Sequence, residues 1–361
     1  MALPFFHSRV GKQRDRMLAV DLGGRTTKAV HLQRRGQGFT LCGYALLDAP
    51  IFEKSLSAEL LAEHLKAVAQ ALGAKSKAVT LTVGVNDSMV RLTEMPRLSL
   101  EDMRLVLKHS SRTYLQQELS NYVFDCHIVT GAALDQPVKP GESPKTAAGP
   151  QKRKVLVAGA RKQLIDDFTE GARRAGLVAD GIVPGLLGPV NAFEKTNPDV
   201  FANEAVAVVD LGYKSSSICI LQQGDLILIR VVSIGGNRLT SGLAEALNVS
   251  YAEAEGIKIG MPSEVEAQIE SLLLPLGCEL RASLDFFEHQ QDRPVTQVYL
   301  TGGSARSEFI VQMLQRELMI DCKILNPMSF LQLELPPQQA AEIERVAPQL
   351  TVALGAALAA F

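Results

Sequence analysis

The 361-residue chain lacks much of what several function classes require. Its five cysteines, Cys42, Cys126, Cys219, Cys278 and Cys322, are scattered, odd in number and without CxxC spacing. They read as reduced, mostly buried thiols of a cytosolic protein. The six histidines, His7, His31, His64, His109, His127 and His289, form no HxxxH pair and no cluster with cysteine, so no metal centre of that type is expected. There is no GxSxG elbow and no GxxxxGK[ST] loop, which sets aside acyl transfer and P-loop chemistry. No apolar run is long enough to span a bilayer, so no direct membrane span is expected. The opening MALPFFHSRVGKQRDR has neither an h-region nor a cleavage pattern, and reads as a frayed terminus rather than a secretory signal. A net charge of −2 exerts no pull towards nucleic acid. The short basic run QKRK (151–154) has no interleaved aromatics, so nucleic acid is not expected as a partner and the run reads as a solvated loop end.

What is present is a repeat. MLAV runs into DLGGRTTK (21–28), then KAVHL, QRRGQG and FTLCGYALL. AVAVV runs into DLGYKSSS (210–217), then SICIL, QQGD and LILIRVVS. Each unit predicts a three-stranded antiparallel meander opening on an Asp-Leu-Gly turn. Helical patterns follow in each half, SAELLAEHLKAVAQALG (57–73) and GNRLTSGLAEALN (236–248). The length asks for two domains, and the repeat predicts two related α/β halves whose Asp-Gly turns meet across a cleft. Between them, residues 96–130 open on a capping-box-like Ser99 and Asp102 and predict a helix then a strand. Residues 135–154 break every period and read as a loop. Near the end, QVYLTGGSARSEFIVQMLQREL (297–318) predicts strand, Gly-Gly turn, helix.

A tight glycine turn exposes successive backbone N–H groups and so cradles anions. The hydroxyls of Thr26, Thr27, Ser215 and Ser216 would add donors. Asp21 and Asp210 would repel phosphate unless Mg²⁺ and its waters lie between, which makes them the expected metal-holding pair.

On these motifs the sequence resembles the actin-like ATPase superfamily, α/β proteins of the ribonuclease H-like fold with two domains around a nucleotide cleft. The resemblance implies ATP and Mg²⁺ as cofactors. It makes Asp21, Gly23, Gly24, Arg25, Thr26, Thr27 and Lys28 the first phosphate loop. Asp210, Gly212, Lys214, Ser215 and Ser216 become the second, with Gly235 and Gly236 beyond it. LTGGSA (300–305) resembles the adenosine loop, with Gly302, Gly303 and Ser304 under base and ribose. AEGIKIG (254–260) is similar to a helix whose acid and lysine, here Glu255 and Lys258, contact ribose and adenine.

Within the superfamily RVVSIGGNRLTSGLAEALNVSYAEAEGIKIG, CELRASLDFFEHQ and VYLTGGSARSEFIVQMLQREL leading to LNPMS resemble the PilM-type pilus assembly proteins. That likeness implies an ATP-binding adaptor in the cytoplasm, peripheral to the inner membrane through the N-terminal cytoplasmic tail of a PilN-type protein. Pilus assembly ATPases or a platform protein are further implied partners. Filament formation of the FtsA or MreB kind and a small-molecule kinase of the same fold are the alternatives. The implied organisation is a flexible segment 1–16, a first domain of 17–85, 155–204 and 343–361, an inserted α+β subdomain 86–135, a loop 136–154 and a second domain 205–342.

Two departures stand out. Arg25 replaces the small hydroxyl residue usual in the first loop. Val183 precedes Pro184 where related filament formers carry a Glu that positions the attacking water, so slow or absent hydrolysis is expected.

Overall fold

The computed structural model describes residues 15–51, 56–74, 76–129 and 152–361. In chain order the elements begin with β1 (Arg16–Leu22), β2 (Thr26–Arg35), β3 (Gly38–Asp48), α1 (Ala58–Leu72) and β4 (Ala78–Val83). An insertion follows: β5 (Ser88–Pro96), α2 (Leu100–Leu115), β6 (Tyr122–Ile128) and β7 (Lys152–Arg161). Then come α3 (Lys162–Arg174), β8 (Val178–Pro184), α4 (Gly188–Thr196) and α5 (Pro198–Asn203). The second half holds β9 (Ala205–Leu211), β10 (Ser216–Gln222), β11 (Asp225–Val232), α6 (Gly236–Leu247), α7 (Tyr251–Gly260) and α8 (Glu266–Gln291). It continues with β12 (Gln297–Thr301), α9 (Glu308–Leu318) and β13 (Cys322–Ile324). β14 (Leu331–Leu333), α10 (Pro337–Val346) and α11 (Thr351–Ala359) follow.

The repeat holds down to register. One sheet runs β14-β3-β2-β1-β4-β8 and the other β11-β10-β9-β12-β13. In each, an antiparallel meander starts on a strand that also pairs in parallel with a later one. Asp21 stands opposite Thr82 in the first sheet, and Asp210 opposite Thr301 in the second. Both acids therefore sit at the carboxyl ends of central strands, where α/β sheets place their ligands.

Local chemistry explains the helices. Ser57 caps α1 by accepting the Leu60 N–H, and Gly73 closes it in the left-handed conformation. Leu61, Leu65 and Val68 then pack with Phe168 of α3 on one face of the first sheet. The apolar α11 covers the other face, its Leu354 and Leu358 meeting Ala19 and Val30. In the second half, Leu243, Leu276 and Leu314 of α6, α8 and α9 cover Val209, Ile220 and Leu300. Phe193 of α4 packs on the opposite face, 4.7 Å from the Tyr299 ring centroid. Among the described residues no helix is long and apolar enough to cross a membrane.

Two boundaries differ from the sequence reading. β7 does not return the chain to the first half at 155; it is the central strand of the small sheet β5-β7-β6. The basic residues Lys152 to Lys154, read as a loop end, begin that strand because β5 pairs along one side of it and β6 takes the other from Val155 on. At the other boundary, β14 pairs with β3, so the chain rejoins the first sheet by 331 rather than 343. Ser99 caps α2 as expected, and Met103, Leu107 and Leu115 pack on Cys126, Val155 and Val157 inside the insertion. Arg16 already belongs to β1. The rest of the segments read as flexible, 1–14 and 136–151, lies outside the described residues.

Candidate functional site

The first loop reverses the chain between Leu22 and Thr27, which pair across β1 and β2. A side chain at Gly23 would press on the Thr26 carbonyl at 2.6 Å, so the turn closes only with glycine there. Gly24 faces the second loop: a methyl there would stand 3.5 Å from the Tyr213 ring and 3.6 Å from the Lys214 chain. The two Asp-Leu-Gly turns, 189 positions apart (210 − 21), therefore do meet.

The second loop is braced from two sides. Gly236 and Asn237, opening α6, donate their N–H groups to the carbonyls of Gly212 and Tyr213 at 2.9 and 2.8 Å. Gly302 closes the third loop over Asp210. Its φ is +91°, and a Cβ there would lie 2.5 Å from Asp210 Oδ1, so glycine is required on both counts. The Gly302 N–H and the Thr301 hydroxyl both donate to the Pro348 carbonyl, at 3.0 and 2.8 Å. These bonds tie the third loop to the chain entering α11. Ser304 points its hydroxyl towards Gly236, and Gly303 borders open space.

Charge is concentrated between the loops. Lys28 donates to Asp21 Oδ2 at 2.9 Å while Thr82 donates to Oδ1 at 2.9 Å. Burial works against the Lys28 ammonium, but Asp21, through its charge and hydrogen bond, and Asp210 outweigh it and raise its pKa. Burial pushes Asp210 up to about 6; Lys28 pulls it down and Asp21 pushes it further up. Such oxygen-only carboxylates at two strand ends suit Mg²⁺ held through its waters. On the opposite wall, Glu255 and Lys258 lie one helical turn apart at 2.6 Å, and both engage the Thr240 hydroxyl. Burial works to raise the Glu255 carboxyl, but bonds from Lys258 and Thr240 and the nearby cations hold it below the ordinary range. Arg25 reaches across to Glu255 at 2.9 Å, its guanidinium 5.8 Å from the Tyr213 ring centroid.

Two of the expected hydroxyl donors are engaged elsewhere. Thr27 is fully buried behind the loop, 2.7 Å from His64 Nε2, and Ser216 donates to the Ile234 carbonyl at 2.7 Å. Strand alternation explains both: these positions turn their side chains to the core, leaving only backbone for a ligand. Lys214 is exposed beside Gly24. The sequence reading missed Thr82, His64 and Thr240. No motif marks them, and only β4 pairing and helix packing bring them to the loops. Val183, opposite Thr82 on β8, is buried among apolar side chains and offers no group to a water.

Comparison with known proteins places this geometry. A solved structure of a PilM-PilN type IV pilus biogenesis complex is 22% identical, with a TM-score of 0.80 over 97% of this chain and 99% of that one. The structure of MreB 5 of Spiroplasma citri bound to AMPPNP is 10% identical, with a TM-score of 0.52 over 95% of each chain. The fold is therefore actin-like. The cell division protein FtsA of Bacillus subtilis is 30% identical over 104 residues, a match spanning 23% of that protein. The family described as type IV pilus assembly protein PilM matches residues 19–361. The chain thus belongs to the PilM family of type IV pilus assembly proteins.

Proposed function

We propose that this protein binds ATP with Mg²⁺ between its two halves and serves as an adaptor that docks the cytoplasmic tail of a PilN-type inner-membrane protein. The observation that carries the reading is the meeting of the first glycine loop with the second, and of the third with Asp210, in a chain matched by the PilM family over 19–361. The loop backbones and Lys28 would hold phosphates, Asp21 and Asp210 the hydrated metal, and Glu255, Lys258 and Gly302 to Ser304 the nucleoside. Bound Mg²⁺ would neutralise phosphate charge. Docking on PilN would keep the protein at the cytoplasmic face of the inner membrane and link it to pilus assembly ATPases or a platform protein. Family membership favours this over the filament and kinase alternatives.

The insertion is the proposed docking element, because nucleotide binding has no need of it. An extended tail in a groove beside the β5-β7-β6 sheet would gain affinity from backbone bonds and specificity from side-chain pockets. Replacing residues 96–130 by a short linker leaves β5 and β7 free to pair. The shortened protein should retain nucleotide binding by calorimetry and lose capture of a tail peptide; normal capture would move the docking site elsewhere.

Turnover should be slow. Val183 stands where related filament formers carry the water-orienting Glu, and losing a general base typically costs ~10²–10⁴-fold. Phosphate release by the purified protein should stay far below about one per second, against typical kcat values of about 1–10³ per second. Faster turnover without partner or polymer would contradict slow hydrolysis and the role assigned to Val183.

A further inference from the structure

Lys28 has a placement that phosphate binding alone does not require. It faces Asp21 directly across the β1–β2 ladder, with its ammonium on Oδ2 and the Thr82 hydroxyl on Oδ1. The Lys28 side chain is 19% exposed and that of Asp21 10%, so water does little to screen the pair. Asp210, from the other half, acts on the same ammonium. A carboxylate this poorly hydrated is costly unless a cation lies against it. Here the chain supplies that cation itself.

We propose that Lys28 is the resident counter-ion of the metal site, holding Asp21 and Asp210 compensated so that a divalent cation is admitted only together with nucleotide. This rests on reading those two aspartates as the metal-holding pair. A free hydrated Mg²⁺ arriving alone must compete for Asp21 with an ammonium already in contact at 2.9 Å. The displaced ammonium would then lose its contact with Asp21 Oδ2 in a poorly hydrated site. Nucleotide removes both obstacles. Its phosphates offer Lys28 a new partner beside the glycine turn, and the vacated carboxylate oxygens become available to the hydrated metal. The entry order is therefore built into one cross-strand pair.

Mn²⁺, followed by the loss of its free aqueous electron paramagnetic resonance signal, tests this on the full chain with and without ADP. Wild type should bind Mn²⁺ saturably with ADP and weakly or not at all without it. Lys28→Met, which keeps the length and removes the charge, should bind Mn²⁺ without nucleotide at least about tenfold more tightly than wild type. Mn²⁺ should also raise the melting temperature of nucleotide-free Lys28→Met and leave that of wild type unchanged. If the Lys28–Asp21 pair were purely structural, Lys28→Met would lower the melting temperature without a gain in metal affinity. Equal nucleotide-free affinities would overturn the proposal while leaving the nucleotide site intact. Absence of Mn²⁺ binding by wild type even with ADP would overturn the metal site itself, and the proposal with it. If Lys28→Met does not fold, saturable Mn²⁺ binding by nucleotide-free wild type still overturns the proposal, and its absence beside binding with ADP supports it.

Discussion

Replacing Gly355 by alanine is expected to destabilise the protein by about 3 kcal/mol, in spite of the better helix propensity of alanine. Gly355 lies mid-way along α11, which is buried throughout. A Cβ there would fall 1.8 Å from the Gly188 carbonyl oxygen, and one at Gly188 would fall 2.6 Å from the Val352 carbonyl. Each helix presents backbone to backbone at the crossing, so no flexible side chain can give way. The methyl forces α11 and α4 apart, and both helices are anchored. Propensity returns only about 1 kcal/mol. Because α11 covers the first sheet and α4 packs on the second, the loss reaches the contact between the halves. Urea unfolding checks it, with Gly256→Ala as the control. Gly256 is exposed on α7 with nothing within 4 Å of its built Cβ, so alanine there should stabilise by about 0.5–1 kcal/mol. Equal stability of Gly355→Ala and wild type would mean that the helices do not cross this closely.

The second expected result is a separation of stability from binding at Asp210. Burial holds this carboxyl near 6, well above its ordinary range, so its ionised form is a cost to the folded protein. Asparagine keeps the shape under Gly302 and removes that cost. Asp210→Asn should therefore melt at the same temperature as wild type or higher. Its affinity for ATP with Mg²⁺ should fall by about 10–100-fold, the usual loss when a group supporting a metal is removed. Calorimetry with and without Mg²⁺ distinguishes the causes: the loss should shrink when the metal is left out. Unchanged affinity with Mg²⁺ present would show that Asp210 holds no metal, and unchanged binding in a destabilised variant would make its role structural.

Much of the site was legible because its signals are local. The Asp-Leu-Gly turns, the apolar runs flanking them, the Ser99 cap and the Gly302–Gly303 turn each depend on a few consecutive residues. Backbone sterics and period-two burial act over that range, so two meanders and their loops could be read directly. The capped α2 was readable for the same reason.

What tertiary structure alone decided depends on pairings between distant segments. Thr82 reaches Asp21 because β4 lies parallel to β1 in one register, and a shift of one residue would turn that hydroxyl to the other face. β7 joined the insertion, because a central strand is chosen by the partners available on both sides and not by its own basic residues. Thr27 and Ser216, written in hydroxyl-rich loops, turned inward once strand alternation assigned their faces. Arg25, an unexplained departure in the sequence, became a bridge to Glu255 only when the two halves faced each other. The sequence by itself determined which residues form the loops. Which charge faces which was decided by the assembled sheets, since Coulomb interactions depend on distance in space rather than along the chain.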